Sequence, residues 1–78
     1  MKLTYDSKHN IAYLRFHKKK EKVKTVKLSD EITVDIAPDG TVYGIEFLNA
    51  NEQLHAEDAG HFIFENEVLG HRKEISLS

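Results

Sequence analysis

The sequence predicts a β-rich α+β fold, in which an antiparallel sheet of about five strands carries one short helix. Residues 31–37 alternate apolar and polar side chains with a period of two, as in a strand with one buried face. After the Pro-Asp-Gly sequence at 38–40, which favours a chain reversal, residues 41–48 form a second strand. These two strands make a central hairpin, and helix-forming residues predict the short helix near 50–57.

The turn sets the register of this hairpin and creates a conflict in its second strand. With a left-handed glycine ending a three-residue turn, a regular ladder would place Ile45 and Phe47 on the other face of the sheet from Val34. A β-bulge at Tyr43–Gly44 would return them to the apolar face, because glycine tolerates bulge geometry. We therefore predict that bulge. A sheet covered on both faces is the alternative, and it needs no bulge.

The other strands follow from the same alternation. They are predicted at 2–6, 11–16 and 23–28, with turn formers at 6–10 and a wholly polar connector at 17–22. Lysines in the third of these strands suit the edge of a sheet, where charge discourages pairing with another sheet. The apolar face predicts a core of Leu3, Tyr5, Leu14, Phe16, Ile32, Val34, Ile36, Ile45 and Phe47.

The segment after the sheet begins with residues typical of a helix N-terminus and continues into a run rich in apolar residues. Asn49 and Glu52 have the spacing of a capping box, and Gly60 stops the helix. Beyond it, the pattern fits either a strand at 61–66 or helical turns through 66–69; we favour the strand, followed by a frayed end. Five apolar residues concentrated there need cover: Phe62, Ile63, Phe64, Val68 and Leu69.

Length and composition predict a single domain spanning residues 1–78. At 78 residues and 40% hydrophobic content, the stability of a lone monomer would be marginal. The chain has no cysteine, so neither disulfides nor thiolate metal sites reinforce it, and a partner chain is the route left most open. No apolar run approaches the roughly 18 residues of a membrane helix and no leader is recognisable, so we expect a cytoplasmic protein without a membrane partner.

The net charge of −2 divides unevenly along the chain. Residues 1–27 carry nine basic and two acidic side chains, and residues 28–78 carry two basic and eleven acidic ones. Such charges either pair within the sheet or are offered to partners. Clustered lysines contact phosphates readily, and the candidates are Lys18, Lys19, Lys20 and Lys22. However, the run lacks interleaved aromatic residues that stack on bases, and the acidic remainder would repel nucleic acid.

A longer pattern then becomes recognisable. The run KLTYDSKHNIAYLRF is followed by a charged connector, a V-x-x-V-x-L strand, an I-x-V-D-I strand, a turn ending in Asp-Gly, and VYGIEFLNA. This pattern resembles the small prokaryotic family called domain of unknown function 2283 over about residues 1–54. The resemblance implies a compact β-rich domain with no established activity or catalytic residues, and an accessory role beside a small toxin-like protein. Residues 60–78 form a C-terminal extension beyond the shared pattern.

The polar residues do not form a recognisable catalytic or metal-binding motif. His55, His61 and His71 lie near acidic residues, but no two histidines have the spacing of a ligand pair on one helix or strand. The serines lie in turns or at the terminus, without a glycine-rich elbow. Asp35 and Glu46, on neighbouring strands, fit a solvated sheet face better than an acid–base pair. We expect no enzymatic activity, no metal and no cofactor.

Three classes of function remain. The leading one is a non-enzymatic module that binds another small protein or forms a homodimer, using the five apolar residues between 62 and 69. The alternative is a nucleic-acid-binding accessory protein that uses the lysine-rich segment 17–27. A small hydrolase or metal protein is the third class.

Overall fold

The computed structural model describes residues 1–18 and 22–77, which form two antiparallel sheets. The larger sheet contains β1 (Lys2–Asp6), β2 (Ile11–Arg15), β3 (Lys24–Lys27), β4 (Ile32–Ile36) and β5 (Val42–Leu48), in the order β1-β2-β5-β4-β3. The smaller sheet pairs β6 (His61–Asn66) with β7 (His71–Ser76), and α1 (Ala50–His55) and a 3₁₀ turn (Asp58–Gly60) connect the two sheets. The predicted β-rich fold, with a five-stranded antiparallel sheet and a short helix, is confirmed.

The central hairpin turns as the sequence predicts. Gly40 has a φ of +91°, and its N–H donates to the carbonyl of Ala37 at 2.9 Å. The N–H of Ala37 in turn donates to the carbonyl of Thr41 at 2.9 Å, which closes a three-residue loop. Asp39 stabilises the loop by accepting the N–H of Thr41 at 2.9 Å, and this bond holds the pKa of its carboxyl below the usual value.

The predicted β-bulge is present in β5. Gly44 lies opposite Asp35. The next residue pair is Val42 with Ile36, which leaves Tyr43 as the extra residue. Beyond the bulge, the apolar residues of β4 and β5 face each other, because the extra residue reverses the alternation once.

The larger sheet therefore has one apolar and one polar face. A row across the apolar face contains Leu3, Leu14, Ile45, Val34 and Val26. The adjacent row on the polar face contains Thr4, Tyr13, Glu46, Thr33 and Lys27. Since side chains alternate along the strands except at the bulge in β5, these two rows assign the faces of the remaining positions.

The core is smaller than the sequence predicts. Among the described residues, the buried hydrophobic side chains are Ala12, Val34, Ala37 and Ala50, and no large side chain is fully buried. Tyr5 and Phe16, both predicted to lie in the core, are 42% and 38% exposed. Tyr5 lies on the edge strand β1 and Phe16 lies past the end of β2, so neither has neighbours on all sides.

Helix α1 is capped by a distant residue rather than by the predicted capping box. Asn49 occupies the N-cap position in a left-handed conformation, but its side chain accepts no backbone N–H; its amide donates to Glu52 at 3.0 Å. Asn10, in the β1–β2 turn, accepts the N–H of Asn51 on its side chain at 2.8 Å. Its main-chain carbonyl accepts the N–H of Ala50 at 3.0 Å. The helix start is thus tied to the first hairpin.

Because of this arrangement, the side chains of Asn10 and Asn49 should contribute unequally to stability. Both have positive φ, so glycine relieves the backbone at either position and isolates the side-chain contribution. We expect Asn10→Gly to lower the free energy of unfolding by about 1–2 kcal/mol through its lost hydrogen bonds, and Asn49→Gly to lower it by less than about 0.5 kcal/mol. Urea denaturation of both variants measures the difference. Equal losses would contradict capping by Asn10.

The C-terminal segment forms a complete hairpin. The predicted strand at 61–66 is confirmed, but the predicted frayed end is wrong, because β7 pairs with β6 along its whole length. The helical alternative at 66–69 is also wrong. The Asn66 side chain accepts the N–H groups of Val68 and Leu69 at 3.2 and 3.1 Å, which closes a turn that Gly70 completes at a φ of +71°.

Candidate binding surfaces

An apolar cleft separates the apolar face of the larger sheet from the C-terminal hairpin. Its walls come from both sheets, with Leu3 and Leu14 on one side and Phe62, Ile75 and Leu77 on the other. Its volume is about 410 Å³. Two sheets in tight contact leave no such space, so the hairpin covers the larger sheet only in part.

The hairpin turns an exposed aromatic face towards this cleft. Phe62 is 40% exposed, and its cross-strand partner Ile75 is 58% exposed. Phe64 follows two residues later on the same face of β6 and is 58% exposed. Large apolar side chains lying together and exposed are typical of interaction surfaces.

The structure divides the five residues predicted to bind a partner. Phe62 and Phe64 share the face of β6 that turns towards the cleft, whereas the half-buried Ile63 lies on its opposite face. Val68 and Leu69 lie at the tip of the hairpin, 93% and 64% exposed. The segment 62–69 therefore supplies one residue of the cleft lining, Phe62, and Ile75 and Leu77, which we did not include, complete that wall. Phe64 lies beside the cleft on the same face of β6.

A hydrogen-bonded cluster lies on the polar face of the larger sheet. The hydroxyl of Tyr13 donates to Oδ2 of Asp35 at 2.8 Å, and the hydroxyl of Thr25 donates to Oδ1 at 2.7 Å. The phenol end of Tyr13 lies on Gly44, where any β-carbon would overlap it. Gly44 therefore leaves space beneath the ring, and its φ is not among the positive values in the chain.

The surroundings of Tyr13 shift the pKa of its phenol. Burial, followed by the hydrogen bond to Asp35 and the charges of Asp35 and Glu46, raises the pKa of Tyr13 to about 12. The nearby charge of Arg15 opposes this rise. The phenol is therefore held as a hydrogen-bond donor rather than as a base or nucleophile.

Beside this cluster lies a polar pocket of about 200 Å³. It is lined by Tyr13, Arg15, His17, Val23, Asp35 and Tyr43, which come from β2, β4, β5 and the segment before β3. The His17 and Tyr43 rings are tilted by 52° with their centroids 5.5 Å apart. The bulge leaves Tyr43 outside the regular pairing, and its side chain reaches the wall of this pocket.

The predicted phosphate-contacting lysines fall only partly within the described residues. Lys18 and Lys22 are exposed, and each is the chain neighbour of a pocket residue, His17 and Val23 respectively. Lys19 and Lys20 lie outside the residues that the structure describes. Sequence reasoning placed no aromatic side chain near the lysines, because Tyr13 and Tyr43 come from other strands.

The histidines and carboxylates are dispersed. Within residues 1–18 and 22–77, no three His, Asp or Glu side chains form a group that could hold a metal ion. His55 donates from Nδ1 to the main-chain carbonyl of Asn51 at 2.7 Å, and Nδ1 of His9 donates to Asp6 at 2.7 Å, which lowers the pKa of that carboxyl. Asp35 is held by hydroxyl donors, and Glu46 accepts separately from Thr33 at 3.4 Å.

No described helix is long and apolar enough to cross a bilayer.

Comparisons with known proteins identify the N-terminal two thirds of the chain. Neither the curated proteins nor the solved structures contain a match. A family model described as "Protein of unknown function (DUF2283)" matches residues 2–51, which cover the whole larger sheet and the start of α1. The resemblance seen in the sequence is thus confirmed, and the chain belongs to the DUF2283 family.

Proposed function

We propose that this chain is a non-enzymatic binding module that associates with a second copy of itself through the apolar cleft. The observation that carries the proposal is the exposure of Phe62 and Ile75 in the hairpin wall of the cleft, at 40% and 58%, and of Phe64 beside them on the same face of β6, at 58%. The opposite wall is also apolar and contains Leu3 and Leu14. Apolar surface of this kind stays exposed to water only at a cost that a partner removes.

A second copy is the occupant that suits the cleft best. The described residues that line it have apolar side chains apart from Ser76, so an apolar partner surface suits it best. Each copy carries both the cleft and the aromatic face of the hairpin, and a two-fold axis can therefore join two identical surfaces. Among the described strands, β6 and β7 pair only with each other, so a partner can contact the hairpin without disrupting the larger sheet.

The energetics favour association for a chain of this size. Burial of one aromatic side chain contributes about 1.5–3 kcal/mol before the cost of association is subtracted. A stable interface needs about 800 Å² from each partner, and the whole chain exposes 6135 Å². Since no large side chain among the described residues is fully buried, the domain gains core by sharing this surface.

Phe64→Ser tests this proposal. We expect the wild-type chain to sediment as a dimer at high micromolar concentration and Phe64→Ser to sediment as a monomer, because the change removes an aromatic side chain that is 58% exposed. Leu28→Ser is the matched control. Leu28 is 65% exposed but lies outside both the C-terminal hairpin and the cleft lining, so this variant should retain the wild-type mass.

Salt and concentration sharpen the test. A dimer held by apolar burial should persist when ionic strength rises, whereas association through the lysine segment should weaken. A wild-type chain that is monomeric throughout the micromolar range would overturn the proposal. Dissociation by Leu28→Ser to the same extent as by Phe64→Ser would also overturn it, because the cleft would then have no special role.

A further inference from the structure

We infer that the polar pocket and the lysines beside it bind single-stranded nucleic acid. This site lies on the opposite face of the larger sheet from the apolar cleft, so the inference is independent of self-association. The sequence argued against such binding because no aromatic residue interrupts the lysine run. The fold removes that objection by placing Tyr13, His17 and Tyr43 around one pocket, two of whose lining residues are the chain neighbours of Lys18 and Lys22.

The aromatic residues provide a place for a base. His17 and Tyr43 form a tilted pair 5.5 Å apart, and Tyr13 forms another wall of the same pocket. The volume of about 200 Å³ accepts one unstacked base. Stacking on aromatic side chains tolerates any base, because every base has a π face, and it contributes about 1–3 kcal/mol per base.

The basic side chains at the pocket form no ion pair with the residues that the structure describes. Arg15 is half-buried, yet it forms no ion pair with any residue in the described part of the chain. The carboxylate in the same pocket lining, Asp35, accepts hydrogen bonds from the hydroxyls of Tyr13 and Thr25 instead. A partly buried guanidinium is stabilised by an anion, and a phosphate accepts its paired N–H donors. Lys18 and Lys22 are exposed and are chain neighbours of pocket residues, so they can contact further phosphates of the same bound nucleic acid.

The geometry selects a short single strand over a duplex. Bases in a duplex are stacked on each other and cannot enter a side-chain pocket, whereas a single strand can turn one base out. Asp35 and Glu46 lie on the same face and repel phosphates placed over the centre of the sheet. The contact is therefore limited to about three phosphates, at Arg15, Lys18 and Lys22, and we expect a salt slope of about −2.

Fluorescence anisotropy of the full chain with a labelled oligonucleotide of about ten nucleotides measures this binding at about 50 mM salt. We expect Tyr43→Leu to weaken binding about tenfold and Tyr43→Phe to retain it within about twofold, because only the leucine variant lacks a ring. The double variant Lys18→Gln, Lys22→Gln should lose about tenfold and reduce the salt slope by about 1.4. The charge-matched control Lys8→Gln, Lys73→Gln should retain the wild-type affinity.

Competition experiments complete the test. Unlabelled single strands should displace the probe, and a duplex of the same length should not. Absence of binding at low salt would overturn the inference. Equal losses in the two lysine pairs would also overturn it, since binding would then reflect overall charge alone. A mononucleotide that competes as well as the single strand would assign the pocket to a free nucleotide and would likewise overturn it.

Discussion

Ile45→Ala will lower the free energy of unfolding by about 2–4 kcal/mol, the largest loss that we expect from a single truncation in this chain. Ile45 lies on the central strand β5 and is flanked by Leu14 of β2 and Val34 of β4. Its truncation leaves a gap at the middle of the apolar face. A domain of this length has a total stability of about 4–12 kcal/mol, so the variant loses a large part of it.

Val34→Ala and Thr33→Ala complete the comparison. Val34 is 8% exposed on the same face, so its truncation should cost about 2 kcal/mol. Thr33 precedes it on the polar face, where its hydroxyl donates to Glu46 at 3.4 Å, and we expect a loss of less than about 0.5 kcal/mol. Urea unfolding at one fixed protein concentration measures all three. A loss at Thr33 equal to that at Ile45 would contradict the face assignment.

Alternation was sufficient to predict the larger sheet because one of its faces is apolar. The central hairpin illustrates this: the period of two failed between Val42 and Ile45, and only an extra residue could restore it. The bulge at Tyr43 does so. The same reasoning failed for β7, all of whose residues are exposed. A strand with neither face buried has no periodic apolar signal to read.

Features that join distant parts of the chain were beyond a local reading. Asn10 caps α1 from 41 residues before Asn51, and nothing near the helix indicates it. Asn49 has the sequence signature of a cap, but its left-handed backbone directs its side chain elsewhere. The exposure of Tyr5 and Phe16 likewise follows from the sheet order, which puts β1 at an edge, and from the end of β2 at Arg15.

The candidate sites divide in the same way. The sequence identified the apolar residues of β6 and the lysines before β3, since both are local runs. It assigned Leu3 and Leu14 to the core and did not recognise them as the opposing wall of the cleft. It also missed the aromatic lining of the polar pocket, because each site is assembled from separate strands. Tyr13 and Tyr43 become neighbours through the pairing of β2 with β5, and this pairing is a property of the sheet order.

Gly44→Ala will lower the free energy of unfolding by about 1–3 kcal/mol, the usual cost of an added group where no space exists. A β-carbon at this position would overlap the phenol end of Tyr13. The ring must move off the strand, and the movement breaks the 2.8 Å hydrogen bond from its hydroxyl to Asp35. The second effect of the substitution is therefore on the titration of Tyr13.

Alkaline titration separates this mechanism from a general loss of stability. The pKa of Tyr13 is raised from 10.0 to about 12 in the fold, so its protonated form stabilises the native state. That contribution is fully present below pH 10 and is lost as the pH rises to about 12. Tyrosinate absorbance, compared with that of Tyr13→Phe, identifies the Tyr13 step. Gly44→Ala should move this step towards pH 10, and an unmoved step would mean that the ring stays bound to Asp35.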